Sequence, residues 1–332
     1  MKVLVTGATG FVGSVLVPEL IRKFGPDSVS VYVLPGDRLP ESWRGEKIRV
    51  IYGDITDKNR LLEATEGQTH VVHLAGFISY WRRDFSRLMR VNFGGARAVA
   101  EACLRAGVRR LIHVSSVGAV GFRKRGRLIH ETTPFNWPPY FHYMTSKHLG
   151  QKAVEEAVQR RGLNAIILNP ASIMGPGDPV RETPHNELYA RIYSGRMFGS
   201  FRGGLGVVDV RDVAAVIIKG LEHGKAGEKY LLVGANLSYS EVLRLIGKHA
   251  RRPVYPFPVP ASLLSAAGLV LELLSFLTRK KPLLTYSYGR LSGWKTFYSN
   301  EKSRREFGHE YIPVDVTIRD ACRYFERTFT AS

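Results

Sequence analysis

The stretch that most limits what this chain can become is its first, Lys2 to Gly13, which reads Lys-Val-Leu-Val-Thr-Gly-Ala-Thr-Gly-Phe-Val-Gly. The apolar, β-branched run from Lys2 to Thr6 suits a fully buried strand of a parallel sheet. It then breaks into three glycines. Gly7 permits a sharp turn, Gly10 lets backbone approach a pyrophosphate, and Gly13 lets the helix opening at Phe11 pack closely on the strand. The N-terminus of that helix, with Phe11 and Val12 in its first turn, faces the phosphates. Thr9 lies inside the same turn. The spacing is G-x-x-G-x-x-G rather than the commoner G-x-G-x-x-G, so the later residues decide whether a nucleotide is bound.

Further short strands are expected at Val29–Val33, Ile48–Tyr52, Thr69–His73, Arg109–Val114 and Ala165–Asn169. The end of the second is where the adenosine ribose of a dinucleotide is inspected: an acid there favours NAD, an Arg NADP. Leu34 holds that position, with Asp37 and Arg38 just beyond. Both are within reach of the ribose position, so the sequence leaves the choice open, with a slight lean to NADP from Arg38 and its basic surroundings. Asp54, in Gly53-Asp54-Ile55, either caps the helix after Thr56 or meets the adenine edge. Leu74, Ala75 and Gly76 follow the fourth strand and are small enough for backbone to pass beside a cofactor. From Phe85 to Ala106 apolar residues recur at helical spacing, interrupted by Asn92-Phe93-Gly94-Gly95. These residues cost helix stability, which points to a role for Asn92 beyond structure.

Ser115-Ser116 ends the fifth strand. A loop rich in Gly and Arg (Gly121 to Arg127) and a turn with Pro134, Pro138 and Pro139 lead to Tyr143-Met-Thr-Ser-Lys147 at the start of a long helix. Tyr143 and Lys147 are four apart and share a helix face, so the ammonium is expected to lower the pKa of the phenol. A second such pair, Tyr298 and Lys302, is expected on the surface of a late helix.

A chain of 332 residues with 44% hydrophobic content can bury a large core in one or two domains. Its 48 Lys and Arg against 29 Asp and Glu give +19. The excess is spread in pairs such as Arg82-Arg83, Arg160-Arg161 and Arg304-Arg305, with no nucleic-acid module. The expectation is therefore no nucleic-acid partner, but some attraction to acidic cofactors or acidic membrane surfaces. Cys103 and Cys322 are far apart and frame neither a disulfide scaffold nor a metal site. Met1 leads directly into the strand rather than into a secretory pattern, so a reduced, cytoplasmic setting is expected.

Taken together, these stretches resemble the extended short-chain dehydrogenase/reductases, the NAD-dependent epimerase/dehydratase superfamily. The resemblance rests on Thr6-Gly-Ala-Thr-Gly-Phe-Val-Gly13, Gly53-Asp54, Leu74-Ala75-Gly76, Asn92, Ser115-Ser116, Tyr143-x-x-x-Lys147 and Asn169-Pro170 running on to Gly175-Pro176-Gly177-Asp178. Val208 to Ala214 and Lys302 to Gly308 extend it almost end to end. It implies a doubly wound α/β fold with a parallel (Rossmann) sheet over 1–170, parts of 206–235 returning to it. A smaller, mainly substrate-binding lobe would span 171–332. It implies Ser116, Tyr143 and Lys147 as the catalytic group with Asn92 in support, and Ile55, Pro170, Ser172 and Ile173 among the cofactor contacts. Tyr143 would give its proton to a carbonyl oxygen held by Ser116 while nicotinamide delivers hydride.

Within that family, Tyr143-Met-Thr-Ser-Lys-His-Leu-Gly, Gly203 to Val210 and Pro282-Leu-Leu-Thr are most similar to dihydroflavonol 4-reductases and 3β-hydroxysteroid dehydrogenases. The expected activity is therefore NAD(P)-dependent interconversion of a ketone and a secondary alcohol on a bulky, mostly apolar molecule. A nucleotide-sugar epimerase or dehydratase and a non-catalytic NAD(P) sensor are the alternatives. Relatives pair through helices equivalent to 84–105 and 143–161, which makes a homodimer the expectation by resemblance. His185 and Arg191 are candidates for meeting the substrate. Ala261 to Thr278, followed by Arg279-Lys280-Lys281, is apolar on nearly every side and admits three readings: a buried core helix, an apolar lid or interfacial anchor, or a membrane span.

Overall fold

A computed structural model describes residues 1–43, 45–123, 127–179, 183–195 and 198–330. Seven strands form one sheet: β1 (Val3–Thr6), β2 (Val29–Val33), β3 (Arg49–Tyr52), β4 (His70–His73), β5 (Arg110–Val114), β6 (Ala165–Pro170) and β10 (Lys229–Leu232). Their order is β10-β6-β5-β4-β1-β2-β3, and every pairing is parallel. The order reverses between β1 and β4, the place where ligands bind in doubly wound sheets. Helices cover both faces. On one, Leu16, Val17 and Leu20 of α1 (Phe11–Phe24) pack with Val213, Val216 and Ile217 of α7 (Val210–Gly220). On the other, Leu61 of α2 (Lys58–Thr65), Val99 and Cys103 of α4 (Gly95–Arg105) and Val154 of α5 (His142–Arg161) close a second core. Two covered faces explain why the central strands read as unbroken apolar runs.

The helix expected over 85–106 is not interrupted at Asn92. After α3 (Phe85–Leu88) the chain keeps helical dihedrals through a wider π turn, Met89–Gly94, into α4. Such a turn suits a functional site, and here it accommodates Asn92 beside α5. At Gly150 of α5 a Cβ would lie 2.3 Å from the Asn92 carbonyl oxygen, so that crossing requires glycine. Of the expected loop 121–127, residues 124–126 lie outside the described residues.

Beyond β6 the chain forms a smaller sheet. β9 (Gly204–Asp209) pairs in parallel with β7 (Ser172–Met174) and β13 (Lys295–Thr296), and antiparallel with β11 (Ala235–Ser238). Tyr189 and Ile192 of α6 (Pro184–Tyr193), Ile246 of α8 (Tyr239–Ala250) and Ile318 and Phe325 of α12 (Val314–Phe325) make the core there. β12 (Tyr255–Val259) pairs with β8 (Phe198–Phe201) and leads into α9 (Ala261–Thr278) and α10 (Tyr286–Leu291).

Two expectations change here. Tyr298 is not on a helix surface: it precedes α11 (Glu301–Phe307), is 4% exposed and belongs to the main core, while Lys302 pairs with Glu228. The reading of α9 as a buried core helix also fails, since only 17% of it is buried. Ser, Gly and Glu occupy the positions that meet α10, which leaves the leucines outside.

Candidate active site

The three glycines divide their work as their environments dictate. Gly7 has φ +68°, and a Cβ there would lie 2.6 Å from the Ala75 backbone nitrogen. At Gly13 a Cβ would fall 2.2 Å from the Ala8 carbonyl oxygen, the tight packing of α1 on the turn after β1. Gly10 differs: the nearest atom to a Cβ would be Gly7 O at 3.4 Å, so the space above it is open. No side chain caps α1 and no acid stands in its first turn, which leaves its positive end for an anion. Gly10→Ala should therefore leave stability within about 1 kcal/mol while weakening cofactor binding at least about tenfold. Gly13→Ala should cost about 2–3 kcal/mol. Thermal unfolding and fluorescence titration with NADH separate the two effects.

Around this turn the chain assembles the other residues. Thr9 Oγ1 donates to Asp37 Oδ2 at 2.6 Å, and Leu34 N donates to the same oxygen at 3.2 Å. This fixes the Asp37 carboxylate beside the glycine turn, while Arg38 is exposed. Asp54 does not cap the helix after Thr56. Its Oδ1 takes Thr56 N and Oγ1, which holds its carboxyl below the usual range, and Asp57 caps α2 instead. Ile55 is buried against Gly95. Leu74 and Ala75 leave β4 against Gly7; Pro170 ends β6, with Ser172 and Ile173 opening β7.

At the carboxyl ends of β4 and β5 the reactive side chains converge. Ser116 caps a short turn, its Oγ accepting from Gly118 N at 3.1 Å. A Cβ on Gly118 would sit 3.5 Å from Ser116 Oγ and 3.7 Å from Tyr143 Cε1, so hydroxyl and phenol flank one point. Burial raises the Tyr143 pKa, and a hydrogen bond from Ser116 works against that rise. This corrects the expectation that Lys147 lowers it: desolvation dominates, and the phenol stays protonated.

Lys147 is itself desolvated, its pKa pulled down to about 8. Its Nζ donates to Val114 O at 3.3 Å and lies 3.6 Å from where a Gly76 Cβ would be. An ammonium has three donors, so this one has capacity left over. Asn92, 4% exposed, donates from Nδ2 to Phe77 O and Ser146 Oγ, both at 2.9 Å, and accepts Phe77 N at 2.8 Å.

Other side chains of the site gave no signal in the sequence. His73 and His113 face each other in register on β4 and β5, their rings 5.3 Å apart. Burial pulls both pKa values down, His73 to about 3, and Lys147 adds to the effect. They are a neutral floor beneath the ammonium. Above Tyr143, the Tyr80 ring lies 5.9 Å from the Tyr143 ring and 5.2 Å from that of Tyr288. Phe201 and Tyr239 extend this aromatic wall. Arg191 on α6 acts on Tyr288, with Glu187 opposing it. The side chain of His185 lies outside the described residues.

An open glycine turn at an uncapped helix end, a carboxylate fixed beside that turn and an under-bonded buried ammonium fit a nicotinamide dinucleotide. The fold and this donor set define an oxidoreductase of the doubly wound dinucleotide class. The profile of the NAD dependent epimerase/dehydratase family matches residues 3–233, and the chain belongs to that family, an extended short-chain dehydrogenase/reductase. It is 30% identical over 328 residues to sterol demethylase protein B of Methylococcus capsulatus, covering 98% of each chain. It is 28% identical to a putative dihydroflavonol 4-reductase of Synechocystis, covering 97% of this chain and 94% of that one. Among solved structures, that of gox2253 superposes with a TM-score of 0.85 at 30% identity, over 100% of this chain and 99% of that one.

Proposed function

We propose that this enzyme interconverts a ketone and a secondary alcohol on a bulky, mostly apolar, sterol- or flavonoid-like substrate. When bound, NAD(P) supplies or accepts the hydride. Tyr143 gives its proton to the substrate oxygen. Ser116, whose Oγ accepts from Gly118 N and which hydrogen-bonds the Tyr143 phenol, turns its one hydrogen to that oxygen once substrate is bound. Lys147 keeps positive charge beside the phenol and binds ribose hydroxyls with its unused donors; Asn92 sets the distance between its helix and the loop after β4. A phenol held protonated is in the form that gives a proton to the substrate oxygen during reduction.

The observation that carries this reading is the Tyr143 phenol beside Ser116, packed against an aromatic cluster that includes Tyr80, Tyr288 and Tyr239. Aromatic walls suit a fused-ring or polyprenoid body. A nucleotide-sugar diphosphate needs a cluster of cations, whereas the cation acting on Tyr288 is Arg191, opposed by Glu187. Following reduced-nicotinamide absorbance with steroid and flavonoid ketones tests the proposal. No net turnover with any of them, alongside epimerisation of a sugar nucleotide without added cofactor, would overturn it.

The choice of dinucleotide turns on Asp37 and Arg38. The fixed Asp37 carboxylate opposes a 2′-phosphate and so works against the lean to NADP, while exposed Arg38 favours it. Asp37→Ala is expected to shift the NADPH:NADH affinity ratio about tenfold toward NADPH, and Arg38→Ala to shift it back. Titration of each variant with both cofactors measures this. Both cysteines are free and buried, which supports a reducing, cytoplasmic compartment.

A further inference from the structure

The α9 helix is built the reverse of a soluble protein's surface helix. Positions 265, 268, 272 and 275 recur at helical spacing and carry Ser, Gly, Glu and Ser. These face inward. Ser265, Gly268 and Ser275 are buried. A Cβ on Gly268 would lie 2.5 Å from the Thr285 backbone, and Glu272 Oε2 accepts Tyr286 N at 3.1 Å. The opposite arc carries Leu263, Leu269, Val270, Leu273, Leu274 and Leu277, all exposed, Leu277 to 82%. Leu283, just past the helix, is 85% exposed. An apolar surface of this size on a soluble chain marks a binding face.

Its charge identifies the occupant. Arg279, Lys280 and Lys281 are exposed at the C-terminal end of the arc, and the Arg83 guanidinium lies 5.6 Å over the Phe276 ring. A second copy seated on this face would cover the leucines but offer Arg279, Lys280 and Lys281 no negative charge, in a chain whose net charge is +19. An anionic bilayer satisfies both the leucines and the cations. Spanning is not available to α9. Its 18 residues reach about 27 Å, only at the short limit for a hydrocarbon core of about 30 Å. Both ends also return to the same body: β12 pairs with β8 before it, and after it Ser287 of α10 donates to Tyr80 O at 3.1 Å.

We propose that this face docks on an anionic lipid bilayer, with α9 lying in the interface plane, its leucine arc among the upper acyl chains and Arg279-Lys280-Lys281 at the phosphates. The same placement sets α10, and with it the aromatic cluster of Tyr288 and Tyr80, towards the membrane, so that an apolar substrate reaches Tyr143 from the lipid. That last step rests on the proposed substrate class; the docking does not.

Flotation of the full chain with phosphatidylcholine vesicles, with and without phosphatidylglycerol, tests the docking at about 0.1 M salt. The protein should float with the mixed vesicles. Leu273→Ser with Leu277→Ser should cut partitioning about 10²-fold. Lys280→Glu with Lys281→Glu should abolish most of the preference for phosphatidylglycerol, about tenfold or more. NADH titration of each variant checks that the fold survives, and Leu277→Trp gives a direct readout, its emission moving to the blue on vesicle addition. Wild-type protein that stays in the aqueous fraction with both vesicles overturns the proposal, as do leucine variants that float unimpaired. So does light scattering that shows a dimer dissociated by the leucine variants without any vesicle effect. Failure of every ketone screened leaves flotation unchanged, so the two proposals fail separately.

Discussion

Tyr143→Phe is expected to lower turnover by about 10³-fold while leaving NADH affinity within about twofold. The phenol oxygen is the only part of the side chain removed. Its ring keeps its packing against Tyr80, and the glycine turn and Lys147 are untouched, so a fall in kcat without a change in cofactor affinity isolates proton donation. Single-turnover absorbance of bound NADH with a reactive ketone measures it. A non-catalytic cofactor sensor would show no activity to lose.

The second large effect concerns Lys147, where activity and stability should move in opposite directions. Its folded-state pKa of about 8 lies below that of an unfolded lysine. The folded protein therefore binds fewer protons than the unfolded chain between about pH 8 and 10.5, and stability rises with pH across that window. Below about pH 8 the full cost of the buried charge is present, on the order of 3 kcal/mol by the size of the shift. Lys147→Met should thus raise the unfolding temperature of the cofactor-free protein by several degrees at pH 7, and the difference should vanish near pH 10.5. The same variant should lose at least about 10²-fold in kcat/KM. For the wild type, reductive kcat/KM should be level below about pH 8 and fall about tenfold per unit above it, as the ammonium loses its proton. Calorimetry with and without NADH checks the stability arm, because ribose hydroxyls that take the idle donors stabilise the wild type and not the variant.

Much of this arrangement was legible in the sequence, and the reason is local. Gly7, Gly10 and Gly13 are spaced by the geometry of one turn, and Tyr143 and Lys147 by one turn of helix. The parallel strands announce themselves as apolar runs because both faces are covered. What escaped depends on contacts between distant segments. Tyr80, Tyr239 and Tyr288 form one wall from three parts of the chain. His73 and His113 meet only because β4 and β5 pair in register. The direction of the Tyr143 shift followed from how deeply the phenol is buried, which spacing does not report; four-residue spacing put Lys147 on the same helix face but said nothing of desolvation. The sequence of α9 showed an apolar helix, but which arc meets α10 was decided by Gly268 against Thr285 and by Glu272 against Tyr286.

The bonding of Asn92 has a consequence of its own. With both amide hydrogens committed, one to the Phe77 carbonyl and one to Ser146, it has no proton to lend. Its contribution is dimensional: it clamps the strand exit to the helix that carries phenol and ammonium, so their separation is set when the chain folds. Much of the entropy of alignment is then lost during synthesis of the enzyme's shape rather than at each encounter with a reactant.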